Sequence, residues 1–186
     1  MFFYHHDYQE EQDGNSFYNI HELLMALHLA LYLVREQDIS PHRITILTTY
    51  NAQLNQLVNT RAQGSWSWLE QVRMAVVDSF QGEENDVIIL SLVRNNTRNS
   101  VGFLRTNNRI CVALSRARNG LYILGNMHML AKANPLWSHM ERNLMENGEI
   151  GQQFPLQCNN HKLVIRLVNS APLSRFCVIN SFLIPE

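Results

Sequence analysis

Gln81-Gly82-Glu83-Glu84, Arg109 and Arg116 are the groups in this 186-residue chain whose types and spacing could do chemistry. A glycine between a strand and the following segment lets the backbone approach a ligand closely and aim an amide at a phosphate. Glu84 could accept from a ribose hydroxyl or orient a metal-bound water. Arg109 and Arg116 stand seven residues apart, two helical turns, so a helix over Asn107 to Arg118 would project both from one face. An arginine held rigidly in this way suits the charge that develops on a transferred γ-phosphoryl group, where it contributes roughly 10³ to 10⁵ in rate. Taken alone, the first motif is also an ordinary surface turn with a solvated acidic pair. The second is also a pair of surface arginines on an amphipathic helix.

A third group is Thr48-Thr49-Tyr50-Asn51-Ala52-Gln53. Hydroxyls and backbone amides at a strand-to-helix junction suit contacts to a nucleic-acid backbone, and they equally suit a helix N-cap at Thr48 or Thr49. Asp78 and Ser79 fit side-chain to backbone bonds that fix their own loop. Near the C-terminus, Cys158 and His161 are spaced like metal ligands, with Cys177 as the other cysteine there. A tetrahedral zinc site needs about four ligands, so no metal site is expected.

The elements that must position these groups follow from the apolar pattern. Phe2 to His5 reads as a short strand, and Asp7 to Ser16 as a polar, glycine-bearing stretch. Asn19 to Glu36 reads as a helix with Ile20, Leu23, Leu24, Leu27, Leu31 and Val34 on one face, broken at Ser40-Pro41. Ile44 to Leu47, Val72 to Val77, Val87 to Val93 and Leu121 to Leu124 read as strands. Asn51 to Arg61 and Pro135 to Asn147 read as helices, with a loop from Gly64 to Trp68. Strands that are apolar throughout, rather than alternating, indicate a sheet covered on both faces, hence a parallel α/β fold. The expected division is a domain over residues 1–150 and a tail of unknown structure over 151–186.

With 46% hydrophobic residues and 17% charged ones, the chain can bury one sizeable core and is not a disordered segment. The net charge of −1 announces no partner, but the charge is unevenly distributed. No acid lies between Asp86 and Glu141, whereas Arg94, Arg98, Arg105, Arg109, Arg116, Arg118 and Lys132 do. A basic second half could contact phosphates, and it is also compatible with an uneven solvated surface. Three cysteines without framework spacing fit a reducing compartment. The start lacks a signal-peptide pattern, and no run approaches the roughly 20 apolar residues of a membrane span. The expected setting is intracellular, cytoplasmic and/or nuclear, with no membrane partner.

These motifs, in this order, resemble the second RecA-like domain of superfamily-1 helicases of the Upf type. Ile44 to Gln53 is similar to helicase motif IV, Val77 to Arg94 to motif V, and Gly102 to Gly120 to motif VI. Ser16-x-x-Asn19-x-x-Glu22 resembles the S-x-x-N-x-x-E that opens a helix in the same domain. The wording T-I-L-T-T-Y, F-Q-G-E-E-N-D, N-R-I-C-V-A-L-S-R-A and L-Y-I-L-G-N-M-H-M-L-A-K is closer still to the zinc-finger-bearing NFX-type RNA helicases. The resemblance covers about Phe2 to Gly148. It departs from the Upf pattern at Val76, usually Ser or Thr, and at Thr49, often Pro; both are familiar in the NFX-type branch.

The resemblance implies a RecA-like P-loop NTPase fold with ATP and Mg²⁺ as cofactors, held mainly by an upstream RecA-like domain. Arg116 becomes the catalytic arginine finger. Gln81, Gly82, Glu84, Arg109 and Arg116 become nucleotide contacts, and Thr49, Tyr50 and Gln53 nucleic-acid contacts. The implied partners are RNA and, by family analogy, an RNA-directed RNA polymerase complex. The sequence itself contains no G-x-x-x-x-G-K-[ST] loop and no Asp-Glu dipeptide. The chain is therefore expected to be the C-terminal half of an ATP-dependent RNA helicase, inactive alone, in small-RNA-directed silencing, heterochromatin formation or antiviral RNA sensing. The alternatives are a non-catalytic nucleic-acid-binding or interaction module from a truncated gene, and a DNA helicase fragment.

Overall fold

The computed structural model describes residues 1–64, 66–157 and 164–167. Strand β1 (Phe2–His5) leads into a hairpin of β2 (Glu11–Asp13) and β3 (Ser16–Tyr18), and then into helix α1 (Ile20–Arg35). Next come β4 (Ile44–Thr48), α2 (Asn51–Gln63), β5 (Arg73–Val76), β6 (Asn85–Ser91), α3 (Asn107–Leu114) and β7 (Ala117–Gly125). Helices α4 (Met127–Ala133) and α5 (Pro135–Glu146) follow. After them come β8 (Ile150–Gly151) and an antiparallel pair, β9 (Phe154–Gln157) and β10 (Val164–Leu167).

Six strands make one parallel sheet in the order β5-β4-β6-β7-β1-β8. The period-two alternation of side chains explains why its strands are apolar throughout. Ile44, Ile46, Val87 and Ile89 face a core built with α1 and Leu57 of α2. Leu47, Ile88, Leu90 and Ile123 face a second core with Ile110 of α3, Met127 and Leu130 of α4, and Trp137 and Leu144 of α5. This is the doubly covered α/β architecture expected of a RecA-like domain.

Asparagines start three of the helices. Asn19, Asn126 and Asn134 each accept a bond from a backbone N–H of the first turn, a cap that contributes about 1 kcal/mol. Pro135 then occupies the first helical position of α5, where its missing N–H goes unneeded.

The structure departs from the sequence expectations in several places. Ile20 is 49% exposed at the start of α1. Helix α4 had no counterpart in the apolar pattern, and the strand expected from Leu121 begins at Ala117. Most important, the helix expected to reach Arg118 ends at Leu114. The reason is the sheet. The Arg116 carbonyl accepts from the Asn85 amide at 3.1 Å and Ala117 pairs with Asn85, so β6 claims these residues for its ladder. Past residue 150, β8 joins β1, and Phe154 and Leu156 are buried in the α1-side core. Cys158, His161 and Cys177 lie outside the described residues.

Candidate functional site

Because the sheet is parallel, its two edges gather different motifs. Val76 is level with Thr48 and Ser91, while Asn85 stands at the opposite end of β6. The segment Val77–Glu84 therefore crosses from the C-terminal edge to the N-terminal edge, with Val77 and Phe80 buried under it. Ser79 Oγ donates to the Val76 carbonyl at 2.9 Å, as a loop-fixing residue should.

At the N-terminal edge, Gly82 has φ +81°, and a Cβ there would meet nothing within 4 Å. Its glycine thus serves conformation and leaves open space in front of the turn. Arg116 lies beside that turn. Its Nε donates to the Val112 carbonyl (2.9 Å), Nη1 to the Glu83 carbonyl (3.1 Å) and Nη2 to Ser115 Oγ (2.8 Å). A guanidinium has five N–H donors, so these bonds hold the group in place and leave two for a ligand. Glu84 and Arg118, both exposed, form an ion pair at 2.8 Å, and Arg118 also approaches Asp86 at 3.9 Å. Arg73 holds Glu83, whose carboxyl is thereby kept below the usual range, and Arg43 pairs with Asp86. Gln81 is exposed on the same turn. The structure thus brings Gln81, Gly82, Glu84 and Arg116 together.

It does not bring Arg109 with them. Helix α3 runs against the strands, so its first turn points to the other edge, and Arg116 stands outside it on the way into β7. The shared helix face is therefore corrected: Arg109 is exposed and stacks over Phe103 at 4.7 Å.

At the C-terminal edge, the motif IV residues are committed to protein partners. Gln53 is fully buried; its amide accepts from Asn19 N and donates to Asn19 O and Ser91 Oγ. That burial places it in the scaffold, away from any ligand surface. Thr49 is 8% exposed and donates to the Leu92 carbonyl. The Ala52 amide donates to Ser16 Oγ at 3.0 Å, so the hairpin supplies part of the α2 terminus. The Tyr50 hydroxyl accepts from Arg94 Nη1 (3.1 Å) and from the Phe103 amide (3.3 Å), tying motif IV to the turn before α3.

Glu22 and Arg94 are buried behind this edge, which their place in the sequence motifs did not indicate. Glu22 is wholly inaccessible; it accepts from Ser91 Oγ (2.6 Å) and the Val93 amide (2.9 Å), and bonds His6 Nε2 at 3.1 Å. Because His6 Nδ1 accepts from Tyr8 N, its Nε2 must carry the proton given to Glu22. Val93 has φ +70°, rare for a β-branched residue, and Arg94 N donates back to Leu92 O at 2.7 Å, closing a γ-turn. That turn delivers Arg94, 6% exposed, to the Glu10 carboxylate at 3.0 Å and to the Phe17 ring at 4.0 Å. The one sequence signal for this network was the Ser16-x-x-Asn19-x-x-Glu22 spacing, whose three side chains all prove to be internal ties. Nearby, His21 bonds the Tyr4 hydroxyl at 3.0 Å and stacks on Tyr8; burial, with His6 adding, drives its pKa down to about 4.

Comparison with known proteins identifies the family. Residues 1–128 match a family model described as an AAA domain. The human NFX1-type zinc finger-containing protein 1 is 47% identical over 173 residues, covering 92% of this chain. This chain belongs to the Upf-like superfamily-1 helicases. The Schizosaccharomyces pombe helicase required for RNAi-mediated heterochromatin assembly 1 is 42% identical over 159 residues, or 83% of the chain. Regulator of nonsense transcripts 1 of Caenorhabditis elegans is 34% identical over 179 residues, or 91%. The chain spans 9%, 16% and 17% of those relatives' lengths.

Proposed function

We propose that this chain is the second RecA-like half of an ATP-dependent RNA helicase. The observation that carries the proposal is Arg116, fixed by Val112, Glu83 and Ser115 beside the open Gly82 turn at one edge of a parallel sheet. Bound ATP with Mg²⁺ would supply a hydrolysable γ-phosphoryl group, and the donor set here fits a phosphate approached from outside the sheet. Arg116 would offer its two remaining N–H donors to the phosphate. The Gly82 turn would admit the ligand, and Glu84 would accept from a ribose hydroxyl once released from Arg118. A preorganised donor of this kind acts mainly on developing charge. The phosphate-binding loop would belong to a partner RecA-like domain.

The finer assignment is to small-RNA-directed silencing or heterochromatin formation alongside an RNA-directed RNA polymerase complex, or to antiviral RNA sensing, in the cytoplasm or nucleus. The silencing and heterochromatin part is supported by the relative whose name includes RNAi-mediated heterochromatin assembly, at 42% identity. The test is phosphate release. The purified chain should show negligible ATP turnover with or without RNA. The same chain joined to a RecA-like domain carrying a phosphate-binding loop should show RNA-stimulated turnover. Robust turnover by the chain alone, or none by the joined protein, would refute the proposal.

A further inference from the structure

Apart from Arg94, which pairs with Glu10, and Arg116, which neutral oxygens hold, several arginines of the two edges differ in their partners. At the N-terminal edge, Arg43, Arg73 and Arg118 are each paired with a carboxylate. Toward the C-terminal edge, Arg98, Arg105 and Arg109 are exposed, and among the described residues none has a carboxylate partner. The sequence reinforces the contrast, since no acid occurs between Asp86 and Glu141.

The segment that carries Arg98 is built rather than loose. Asn96 Oδ1 accepts from the Ser100 amide at 3.0 Å, and Asn96 Nδ2 donates to the Ser100 carbonyl at 2.9 Å. This reciprocal pair closes a five-residue loop, Asn96 to Ser100, with Asn99 in the left-handed region at φ +50°. The base of the loop is pinned by Glu10. Its carboxylate accepts from the Asn95 amide (2.6 Å) and from Asn96 Nδ2 (3.1 Å), and its own amide donates to the Asn95 carbonyl (3.1 Å). Thr97, Arg98 and Asn99 are therefore presented to solvent on a fixed support.

On the far side of Gly102 the support is equally defined. The Tyr50 hydroxyl holds the Phe103 amide, and Arg109 lies over the Phe103 ring. Trp137 Nε1 donates to the Leu104 carbonyl, and Asn134 Nδ2 to the Arg105 carbonyl at 2.9 Å. Exposed arginines without carboxylates, on hydrogen-bonded backbone and in one case over an aromatic ring, have the chemistry that tracks a single-stranded phosphate backbone.

We infer that Arg98, Arg105 and Arg109 form a phosphate-contacting track for single-stranded RNA, with Asn96 as the positioning residue for Arg98. The inference rests on the RNA-helicase proposal and adds to it a binding surface outside the motif IV residues, whose side chains are turned inward.

The experiment is equilibrium binding of a labelled short oligouridylate to the purified chain across a salt series. Three phosphate contacts predict a log–log salt slope of about −2, since each contact on a single strand contributes about −0.7. Replacing any one of the three arginines by Ala should lower the magnitude of the slope by about 0.7 and weaken low-salt binding roughly 3- to 10-fold. Arg43→Ala and Arg118→Ala should leave both nearly unchanged. Asn96→Ala alters no charge, yet it should weaken binding about as much as Arg98→Ala and add little on top of it.

Absence of low-salt binding, equal losses at Arg43 and Arg118, or full additivity of Asn96→Ala with Arg98→Ala would overturn the inference. The two proposals fail separately. RNA-stimulated ATP turnover in the joined protein, with binding indifferent to the three arginines, sinks the track alone. Binding that follows the arginines without any such turnover sinks the helicase proposal, leaving a nucleic-acid-binding module.

Discussion

Replacing Gly102 by Ala should be far more damaging than replacing Gly82, although both glycines have positive φ. Gly102 has φ +51°, and Gly82 has φ +81°. For either, an L side chain in the left-handed region costs about 1 to 2 kcal/mol. At Gly82 that is the whole effect, because the new Cβ meets nothing. At Gly102 the Cβ would overlap the Tyr50 hydroxyl and come within 2.7 Å of Arg94 Nη1. Tyr50 cannot yield without loosening its bonds to Arg94 and the Phe103 amide. A charge-assisted bond contributes roughly 1.5 to 3 kcal/mol and a neutral one about 1. The expected loss for Gly102→Ala is thus about 3 to 6 kcal/mol, against about 1 to 2 for Gly82→Ala. Urea unfolding followed by circular dichroism would measure both. Tyr50→Phe removes the obstructing hydroxyl, so the double variant with Gly102→Ala should fall short of additivity by about 2 kcal/mol. Equal destabilisation by the two glycine changes, or an additive cycle, would refute the packing assigned to Tyr50.

Other expectations concern the interior and the ion pairs. Glu22→Ala should destabilise by about 3 to 5 kcal/mol, because it strands Ser91, the Val93 amide and His6 in a buried site; chemical unfolding measures this. His21 has a folded pKa of about 4 against an ordinary 6.5, so the unfolded chain takes up its proton first. Its stabilising contribution, roughly 3 kcal/mol, should be complete above about pH 6.5 and be lost as pH falls toward 4. His21→Phe should flatten the stability profile in that window, and an unchanged slope would reject the assignment. Arg118→Ala should cost under about 1 kcal/mol, because its pairs with Glu84 and Asp86 are exposed, and thermal unfolding should show it.

What the sequence disclosed, and what it hid, follows from which interactions are local. The doubly covered sheet was legible because Ile44 to Leu47 and Val87 to Val93 are apolar at every position, and only burial on both faces uses such strands. The end of α3 was not. Nothing in Asn107 to Arg118 stops a helix; the stop comes from Asn85, more than twenty residues upstream, which takes the Arg116 carbonyl. Tyr50 and Gln53 were read as nucleic-acid contacts, whereas the fold commits both side chains to protein partners. Their partners (Asn19, Ser91, Arg94 and Phe103) come from other elements, and local spacing cannot reveal them. The burial of Glu10 and Glu22 was not legible, because burial of a carboxylate depends on donors such as Arg94, Asn95 and Ser91 that the fold brings from far along the chain.

The most direct test of the central claim is steady-state ATP turnover in the joined two-domain protein with Arg116 as wild type, Arg116→Ala and Arg116→Lys. RNA affinity without nucleotide is measured in parallel. A group acting on the transition state predicts that kcat falls by about 10² or more on Arg116→Ala while RNA affinity stays nearly intact. Lysine should not rescue, since a point charge cannot both hold the Val112, Glu83 and Ser115 oxygens and reach a phosphate. Turnover that survives Arg116→Ala, or RNA binding that collapses in step with it, would contradict the account.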